Sequence, residues 1–211
     1  MGGVVSAGTA SWVLRRSEVR QFEVLGYYAK QFQRLRVDRA HGLAPHKPIL
    51  LLAVIELIAR SEIERNRIDL GDRLNHMFLK YWSYLGSVSH NPDISQPFYY
   101  LKSSKFWHLV ANPGYARVIT DKLKLKTLAD VRRVVHYAYL DEDLFDFLRE
   151  PKYRQCLLEA LVLRWFSAHG DAIAGIAKTD RFCEPPAYRP EAYERFYVRA
   201  DLPSGRDAEG F

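Results

Sequence analysis

Cysteine is scarce in this sequence, whose 211 residues contain only Cys156 and Cys183. Two cysteines cannot supply a zinc site of four cysteines, and they provide no disulfide framework of the kind that stabilises small secreted domains. We therefore expect a protein of the reducing cytoplasm with no structural metal ion.

Long apolar runs are also lacking, since none approaches the roughly 18 to 20 residues that a membrane-spanning helix needs. The longest run, Pro48 to Ile58, already contains Glu56 and is typical of a buried core helix. The first ten residues have neither the basic start nor the long hydrophobic centre of a secretory signal. We predict a flexible N-terminus over residues 1–16 and no membrane partner.

Catalytic signatures are missing as well. The sequence has no GxxxxGKS/T phosphate loop, no GxSxG elbow, no HExxH and no paired CxxC. His41 and His46 lie five residues apart on a predicted loop, but no cysteine or carboxylate nearby completes a metal site. The consecutive acidic residues 141–143 fit the start of a helix better than a nuclease carboxylate cluster. We therefore assign no catalytic residue, no metal ligand and no cofactor, and we do not expect an enzyme.

What the chain does have is an uneven distribution of charge. Its 31 Lys and Arg residues against 25 Asp and Glu give a net charge of +6, which is weak evidence by itself. From Leu14 to Lys47, however, eight basic residues stand against three acidic ones, and from Lys102 to Lys126 six stand against one. The stretch from Asp141 to Glu159 has the opposite sign. Such polarity is typical of a protein that binds a polyanion, although ordinary solvated faces remain an alternative.

Apolar residues at helical spacing predict most of the regular structure. The predicted helices run from Ser17 to about Arg36, from Pro48 through ILLLAVIELIA, from Asp72 to Leu85, near Thr127 to Val135, from Asp141 through Phe147, and over KYRQCLLEALVLRWF. The second helix is apolar nearly all round, so we expect it to be central and buried.

Two aromatic segments suggest a small amount of β-structure. PFYYL and FWHLV flank KSSK, which predicts a β-hairpin with a four-residue turn, and Arg67 to Leu70 is a candidate short strand.

After Phe166 the chain has four prolines and no sustained period. The predicted fold is therefore a mainly helical α+β domain over residues 17–166, with helices around a small hairpin or sheet. Residues 167–211 form a tail or a small docking segment.

A family resemblance rests on two segments about fifty residues apart. APHKPILLLAVIELI and HNPDISQPFYYLKSSKFWHLV together resemble the DNA sulfur-binding domain found at the N-terminal side of phosphorothioate-dependent HNH restriction endonucleases. The likeness extends from about Ser17 to Phe166. It implies recognition of double-stranded DNA that carries a backbone phosphorothioate, in a restriction or defence role.

The sequence departs from that family in two ways. Gln96 stands where the family usually has an aromatic residue, and Ser103, Ser104 and Lys105 replace a turn rich in Asp and Gly. In addition, nothing after Phe166 offers the histidines or zinc cysteines of the HNH nuclease module. The resemblance therefore implies recognition and not cleavage, which would come from a partner nuclease or from sequence of a longer gene product.

The resemblance also implies a set of site residues. His46 and Lys47 match the basic pair beside the sulfur, Pro97 matches the pocket proline, and Tyr100 matches by position, with Gln96 as a polar neighbour. Pro97 offers a rigid apolar wall without an N–H donor. We expect other residues to contact the DNA backbone or a groove edge: Arg34, Arg36, Arg39, His41, Lys102, Ser103, Ser104 and Lys105.

Two alternatives stay open from the sequence. The chain could be a general DNA-binding or regulatory module that kept the fold without sulfur selectivity. It could also be a nuclease with an unrecognised centre in the tail, using His169, Asp171, Asp180 and Glu184.

Overall fold

A computed structural model provides the structure, which describes residues 16–39, 42–87, 89–117, 119, 125 and 127–167. The predicted tail residues 168–211 and almost all of the predicted flexible N-terminus lie outside these ranges, and the predicted domain boundaries stay predictions. The described elements are α1 (Arg16–Gln33), α2 (His46–Ala59), α3 (Asp72–Leu85), α4 (Ser95–Tyr100), β1 (Trp107–Ala111), α5 (Leu128–Val134), β2 (Val135–Leu140), α6 (Glu142–Arg149) and α7 (Pro151–Trp165). The mainly helical α+β class is confirmed.

Helix α2 lies at the centre of the core, as its continuous apolar sequence predicts. It packs against α3, α4, α6 and α7. Ile49, Leu50, Ala53 and Val54 have no exposed surface at all. Pro48 lies in the first turn, where the missing N–H removes no helical hydrogen bond. This burial holds the N-terminus of α2 in place, and that end carries two of the predicted site residues.

Helices α1 and α7 lie side by side and run in the same direction. The Tyr153 hydroxyl donates to Gln21 Oε1 at one end, and Trp165 Nε1 donates to the Phe32 carbonyl at the other. The predicted stripe of α1 is only partly correct. Its later residues, from Leu25 onward, are buried, whereas Val19 and Phe22 are about two-fifths exposed. The helix also ends at Gln33, before the predicted Arg36.

The sheet consists of β1 and β2, which pair in antiparallel fashion with Trp107 opposite Leu140. The predicted hairpin is therefore wrong, because the partner of FWHLV is the later segment VHYAYL and not PFYYL. The predicted helix through Val135 is also too long, since Val135 begins β2. The short strand predicted at Arg67 to Leu70 is reduced to a single bridge between Ile68 and Ala138.

The segment predicted as the first hairpin strand forms α4 and a following 3₁₀ turn, Leu101–Ser103. Asp93 Oδ1 accepts hydrogen bonds from the backbone N–H and the hydroxyl of Ser95, which starts the helix. Phe98 and Tyr99 are both fully buried. A short apolar run satisfies a buried helix and a buried strand equally well, so the pattern alone could not distinguish them.

Trp107 connects β1 to α4. Its indole Nε1 donates to the Phe98 carbonyl at 3.0 Å, and its side chain is only 1 % exposed. This tryptophan therefore belongs to the core. The contact matters for the site because α4 carries Gln96, Pro97 and Tyr100.

The acidic residues 141–143 occupy the start of α6, as expected. Asp141 is the residue before the helix, and Glu142 and Asp143 lie in its first turn, where the helix dipole favours negative charge. Asp141 also joins two other elements, since it accepts a hydrogen bond from the Tyr28 hydroxyl and contacts His108 Nε2 at 2.6 Å. This carboxylate therefore has a structural role.

Candidate nucleic-acid interface

A cavity of about 390 Å³ opens between the N-terminus of α2, the start of α4 and the loop that follows α1. The five predicted pocket residues all line it: His46, Lys47, Gln96, Pro97 and Tyr100. They come from two segments about fifty residues apart, and packing of α4 against α2 brings them together.

Five further residues line the cavity: Arg36, Val37, Asp38, Ala44 and His90. Arg36 was predicted as a DNA contact, and the sequence analysis missed the other four as pocket residues. The backbone N–H of Ala44 donates to the Asp38 carbonyl, so the connection between α1 and α2 folds back onto itself. Such a loop has no periodic pattern, and only its place between two site segments could have indicated its role.

The apolar wall of the cavity comes mainly from α4. Pro97 and Tyr100 are three residues apart and therefore lie on the same side of the helix. Pro97 is buried and Tyr100 is half-buried, whereas the neighbouring Tyr99 points into the core. Gln96 Nε2 donates to the Leu125 carbonyl at 3.0 Å, which holds the amide group at the cavity edge. A proline ring and a tyrosine ring thus face the opening.

Lys47 brings a cation to the cavity from the first turn of α2. The residue is 9 % exposed, and its Nζ donates to the Arg36 carbonyl at 2.7 Å and to Ser103 Oγ at 3.1 Å. Both acceptors are uncharged. Burial, and secondly the nearby Arg36 guanidinium, lowers the pKa of Lys47 to about 8. The ammonium group is therefore held at a cost in free energy, without a bonded carboxylate to offset it.

His46 is braced by its neighbours. Its Nε2 lies 2.8 Å from the Asn91 carbonyl, and its ring packs 4.6 Å from that of Trp82 and 5.5 Å from that of His90. Because a carbonyl only accepts, Nε2 is the protonated nitrogen. Burial lowers the pKa of His46 below its usual value. The hydrogen bond to the Asn91 carbonyl raises the pKa, but by less than burial lowers it. Burial therefore favours the uncharged side chain, and the cavity is also lined by the cations Lys47 and Arg36.

The residues predicted to contact DNA lie on two segments that Lys47 connects. Arg34, Arg36 and Arg39 are all exposed on the loop after α1. Ser103 and Lys105 are exposed on and just after the 3₁₀ turn, where a hairpin tip was expected. Lys47 Nζ donates to the Arg36 carbonyl and to Ser103 Oγ, so it joins the two segments beside the cavity that Arg36 and Lys47 line.

The other predicted contacts are less accessible or lie elsewhere. Lys102 Nζ donates to the Tyr99 hydroxyl at 2.9 Å and lies over the ring of that residue. The backbone of Ser104 closes the 3₁₀ turn through a hydrogen bond to the Leu101 carbonyl. His41 and the four tail residues of the nuclease alternative lie outside the described residues.

Other kinds of site are absent from the part of the chain that the structure describes. No group of three or more His, Cys, Asp or Glu side chains there could hold a metal ion. No helix there has the length and apolar character that crossing a bilayer requires.

Comparison with known proteins finds similarity at the level of structure. No family model and no curated protein sequence matches the chain. A sulfur-binding domain of ScoMcrA complexed with phosphorothioated DNA superposes with a TM-score of 0.50 and 23% identity, over 66% of this chain and 87% of that one. A sulfur-binding domain of SprMcrA in such a complex gives a TM-score of 0.50 and 17% identity, over 83% and 94% of the two chains.

This chain has the sulfur-binding-domain fold. The resemblance drawn from the APHKP and PFYYL segments is thereby confirmed for the fold. The type IV phosphorothioation-dependent restriction endonuclease ScoMcrA gives a TM-score of 0.56 at 17% identity, over 79% of this chain. That match covers 33% of the endonuclease chain, so the fold described here corresponds to one part of that longer endonuclease.

Proposed function

We propose that this chain binds double-stranded DNA and seats a backbone phosphorothioate in the cavity beside Pro97. The observation that carries the proposal is the pairing of an apolar wall, from Pro97 and Tyr100, with the buried ammonium group of Lys47. An ammonium group whose hydrogen-bond partners among the described residues are neutral is suited to an incoming anion. The structural neighbours, solved in complex with phosphorothioated DNA, support the same ligand class.

The chemistry of the modification explains why such a site would select it. Sulfur in place of a non-bridging phosphate oxygen keeps the negative charge, but the atom is larger, more polarisable and a poorer hydrogen-bond acceptor. An oxygen entering the apolar slot would lose its water without a new donor, at a cost of about 1–3 kcal/mol. That cost corresponds to roughly tenfold to hundredfold discrimination against unmodified DNA.

The surroundings of the cavity fit an extended polyanion. The N–H groups of His46 and Lys47 lie in the first turn of α2 and have no acceptor within the helix, so they would be available to a phosphate bound at this end of the helix. Arg36 lines the cavity, Arg34 and Arg39 are exposed on the same loop, and Lys105 is exposed just after the 3₁₀ turn whose Ser103 accepts a hydrogen bond from Lys47. These side chains would bind the flanking backbone phosphates and would not distinguish one base sequence from another.

A paired titration tests the proposal. The protein is titrated into the same labelled duplex with and without one phosphorothioate, and we expect tighter binding to the modified duplex. Pro97→Ala removes ring surface and introduces an N–H donor, so it should lower the preference by about tenfold while binding of unmodified DNA persists. Pro113→Ala, in an exposed turn, is the matched control.

Two outcomes would contradict the proposal. Equal binding of the two duplexes would end the sulfur assignment and favour the general DNA-binding module. Equal weakening on both duplexes by Pro97→Ala would likewise show that the proline supports the fold and does not select the ligand.

We propose further that this chain recognises the modification and leaves cleavage to a nuclease acting in trans, as part of restriction. Support comes from the described residues, where no group of three or more His, Cys, Asp or Glu side chains could hold the metal ion of a nuclease. The test is incubation of the purified chain with phosphorothioated plasmid and Mg²⁺ or Mn²⁺. We expect no nicks, and cleavage that depends on His169 or Asp171 would establish the tail nuclease instead.

A further inference from the structure

Lys47 is held in surroundings that disfavour its charge. Its two hydrogen bonds go to the Arg36 carbonyl and to Ser103 Oγ, and an ammonium group has three N–H donors. The side chain starts from the first turn of α2, where the helix dipole is positive, and it lies near the guanidinium of Arg36. Burial, the helix N-terminus and the neighbouring guanidinium favour loss of the proton while the cavity is empty, and the two hydrogen-bond acceptors oppose it only in part.

The other groups around the cavity do not reverse this balance. Among the described residues that line the cavity, the titratable and charged groups besides Lys47 are Arg36, Asp38, His46, His90 and Tyr100. Of the nearby groups outside the lining, Asp93 interacts with His46, and Lys102 on the 3₁₀ turn is bonded to Tyr99. Asp38 and Asp93 are the two carboxylates of this set. Asp93 is bonded to Ser95, and neither Asp93 nor Asp38 accepts a hydrogen bond from Lys47.

We propose that DNA binding at this cavity takes up a proton on Lys47, and that Ser103 is the positioning residue that holds the ammonium group toward the ligand. The inference rests on the proposed function, because the anion that draws the proton is the backbone phosphorothioate. With the cavity empty, burial lowers the pKa of Lys47 to about 8. An anion within hydrogen-bonding distance favours the charged form and raises the pKa of the amine again.

The linkage has a definite sign. Below about pH 8 the amine is already protonated, so affinity for modified DNA is independent of pH. Above that value each binding event must first return a proton to the amine. The dissociation constant should therefore rise by about tenfold between about pH 7 and about pH 9.

The primary experiment measures affinity for the modified duplex over this pH range by fluorescence anisotropy. Calorimetry near about pH 8.5, in buffers of different ionisation enthalpy, should detect uptake of roughly 0.7 proton per complex. Lys47→Arg carries a guanidinium that stays protonated, so its binding should lose the pH dependence. Lys152→Arg, on the exposed part of α7, is the matched control and should keep it.

Ser103 is tested by a shift in the pH profile. Ser103→Ala removes one acceptor from the ammonium group and should move the midpoint to lower pH, whereas Ser103→Thr keeps the hydroxyl and should restore it. Ser83→Ala is the matched control, since that hydroxyl donates to a backbone carbonyl on α3. An unshifted midpoint in Ser103→Ala would overturn the positioning role.

Failure of the inference and failure of the proposed function give different results. A preference for modified DNA that is independent of pH, or a pH dependence that survives Lys47→Arg, overturns proton uptake and leaves the proposed function intact. If the modified and the unmodified duplex bind equally at every pH, the proposed function fails. The inference is then decided with inorganic thiophosphate as the probe, and a Lys47 pKa that the probe leaves unchanged, by NMR of labelled lysine, overturns it.

Discussion

At the scale of single residues, Lys47 illustrates a conflict between stability and binding. Its burial disfavours the protonated form, yet that form is the one an anionic ligand needs. The unfolded chain binds the proton more tightly than the folded one, so the free energy of unfolding should rise as pH increases from about 8 toward 10.5. Below pH 8 the unfavourable contribution is constant.

Lys47→Met is therefore expected to stabilise the protein at neutral pH and to abolish preference for modified DNA. The gain should be about 1–2 kcal/mol, because removal of a buried charge outweighs the two lost hydrogen bonds. Urea unfolding at neutral pH measures it, with Lys152→Met on α7 as the exposed control. A lower urea midpoint for Lys47→Met than for the parent protein would contradict this account.

His46 is expected to work as a neutral brace. Its contacts with Asn91 and Trp82 fix the loop before α4 against the start of α2. His46→Gln offers a neutral amide N–H to the Asn91 carbonyl and should bind DNA within about threefold of the parent, whereas His46→Ala should bind more weakly on both duplexes. Titration at neutral pH distinguishes them. If His46→Gln is as weak as His46→Ala, a charged or ring-specific role replaces the brace.

At the scale of elements, α4 has the largest effect on the site and is the element that the sequence analysis misassigned. In a regular strand Pro97 and Tyr100, three residues apart, would point to opposite faces. In the helix they lie on one side and share the cavity wall. The predicted pocket residues therefore come together through a helix in place of the expected hairpin.

Trp107→Phe tests how strongly β1 holds α4 in place. The substitution leaves the buried Phe98 carbonyl without its indole donor and opens a small cavity, so it should lower the free energy of unfolding by about 2–4 kcal/mol. It should also reduce preference for modified DNA under conditions in which the variant is still folded. Thermal unfolding measures the loss of stability, and the paired titration measures the preference. Trp165→Phe on α7 is the comparison, because the half-buried Trp165 also donates its indole N–H to a backbone carbonyl, that of Phe32. A destabilised variant with unchanged preference would show that α4 holds its position without Trp107.

At the scale of the whole molecule, the uneven charge of the chain determines the expected response to salt. Arg36, one of three exposed arginines after α1, lines the cavity, whereas α6 begins with a run of acidic residues. Each phosphate that a basic side chain neutralises releases counterions, so affinity should fall with a logarithmic slope of about 0.9 per contact.

Single variants should divide that slope among the arginines. Arg34→Gln and Arg39→Gln should each weaken binding to both duplexes alike and lower the salt slope by about 1. Arg149→Gln, at the end of α6, is the control and should change neither quantity. An unchanged slope in the first two variants would place the DNA path on another face.

Much of the helical framework could be predicted from periodicity alone. The buried helix α2, the stripe of α3 and the start of α5 beside Thr127 follow from local pattern and capping chemistry. The pairing of β1 with β2 could not, because the partner strand lies 24 residues farther along the chain from Ala111 to Val135 and has no turn signal that links the two.

By itself, the sequence determined most of the helices and the uneven distribution of charge, because hydrophobic spacing, proline position and charge are local properties. Only the tertiary structure decided that PFYYL is mostly helical, that burial lowers the pKa of both His46 and Lys47, and that the loop of Arg36 lines the cavity. These features depend on burial and on contacts between segments far apart in the chain. Desolvation and hydrogen-bond partners are set by packing, and no local pattern of residues records them.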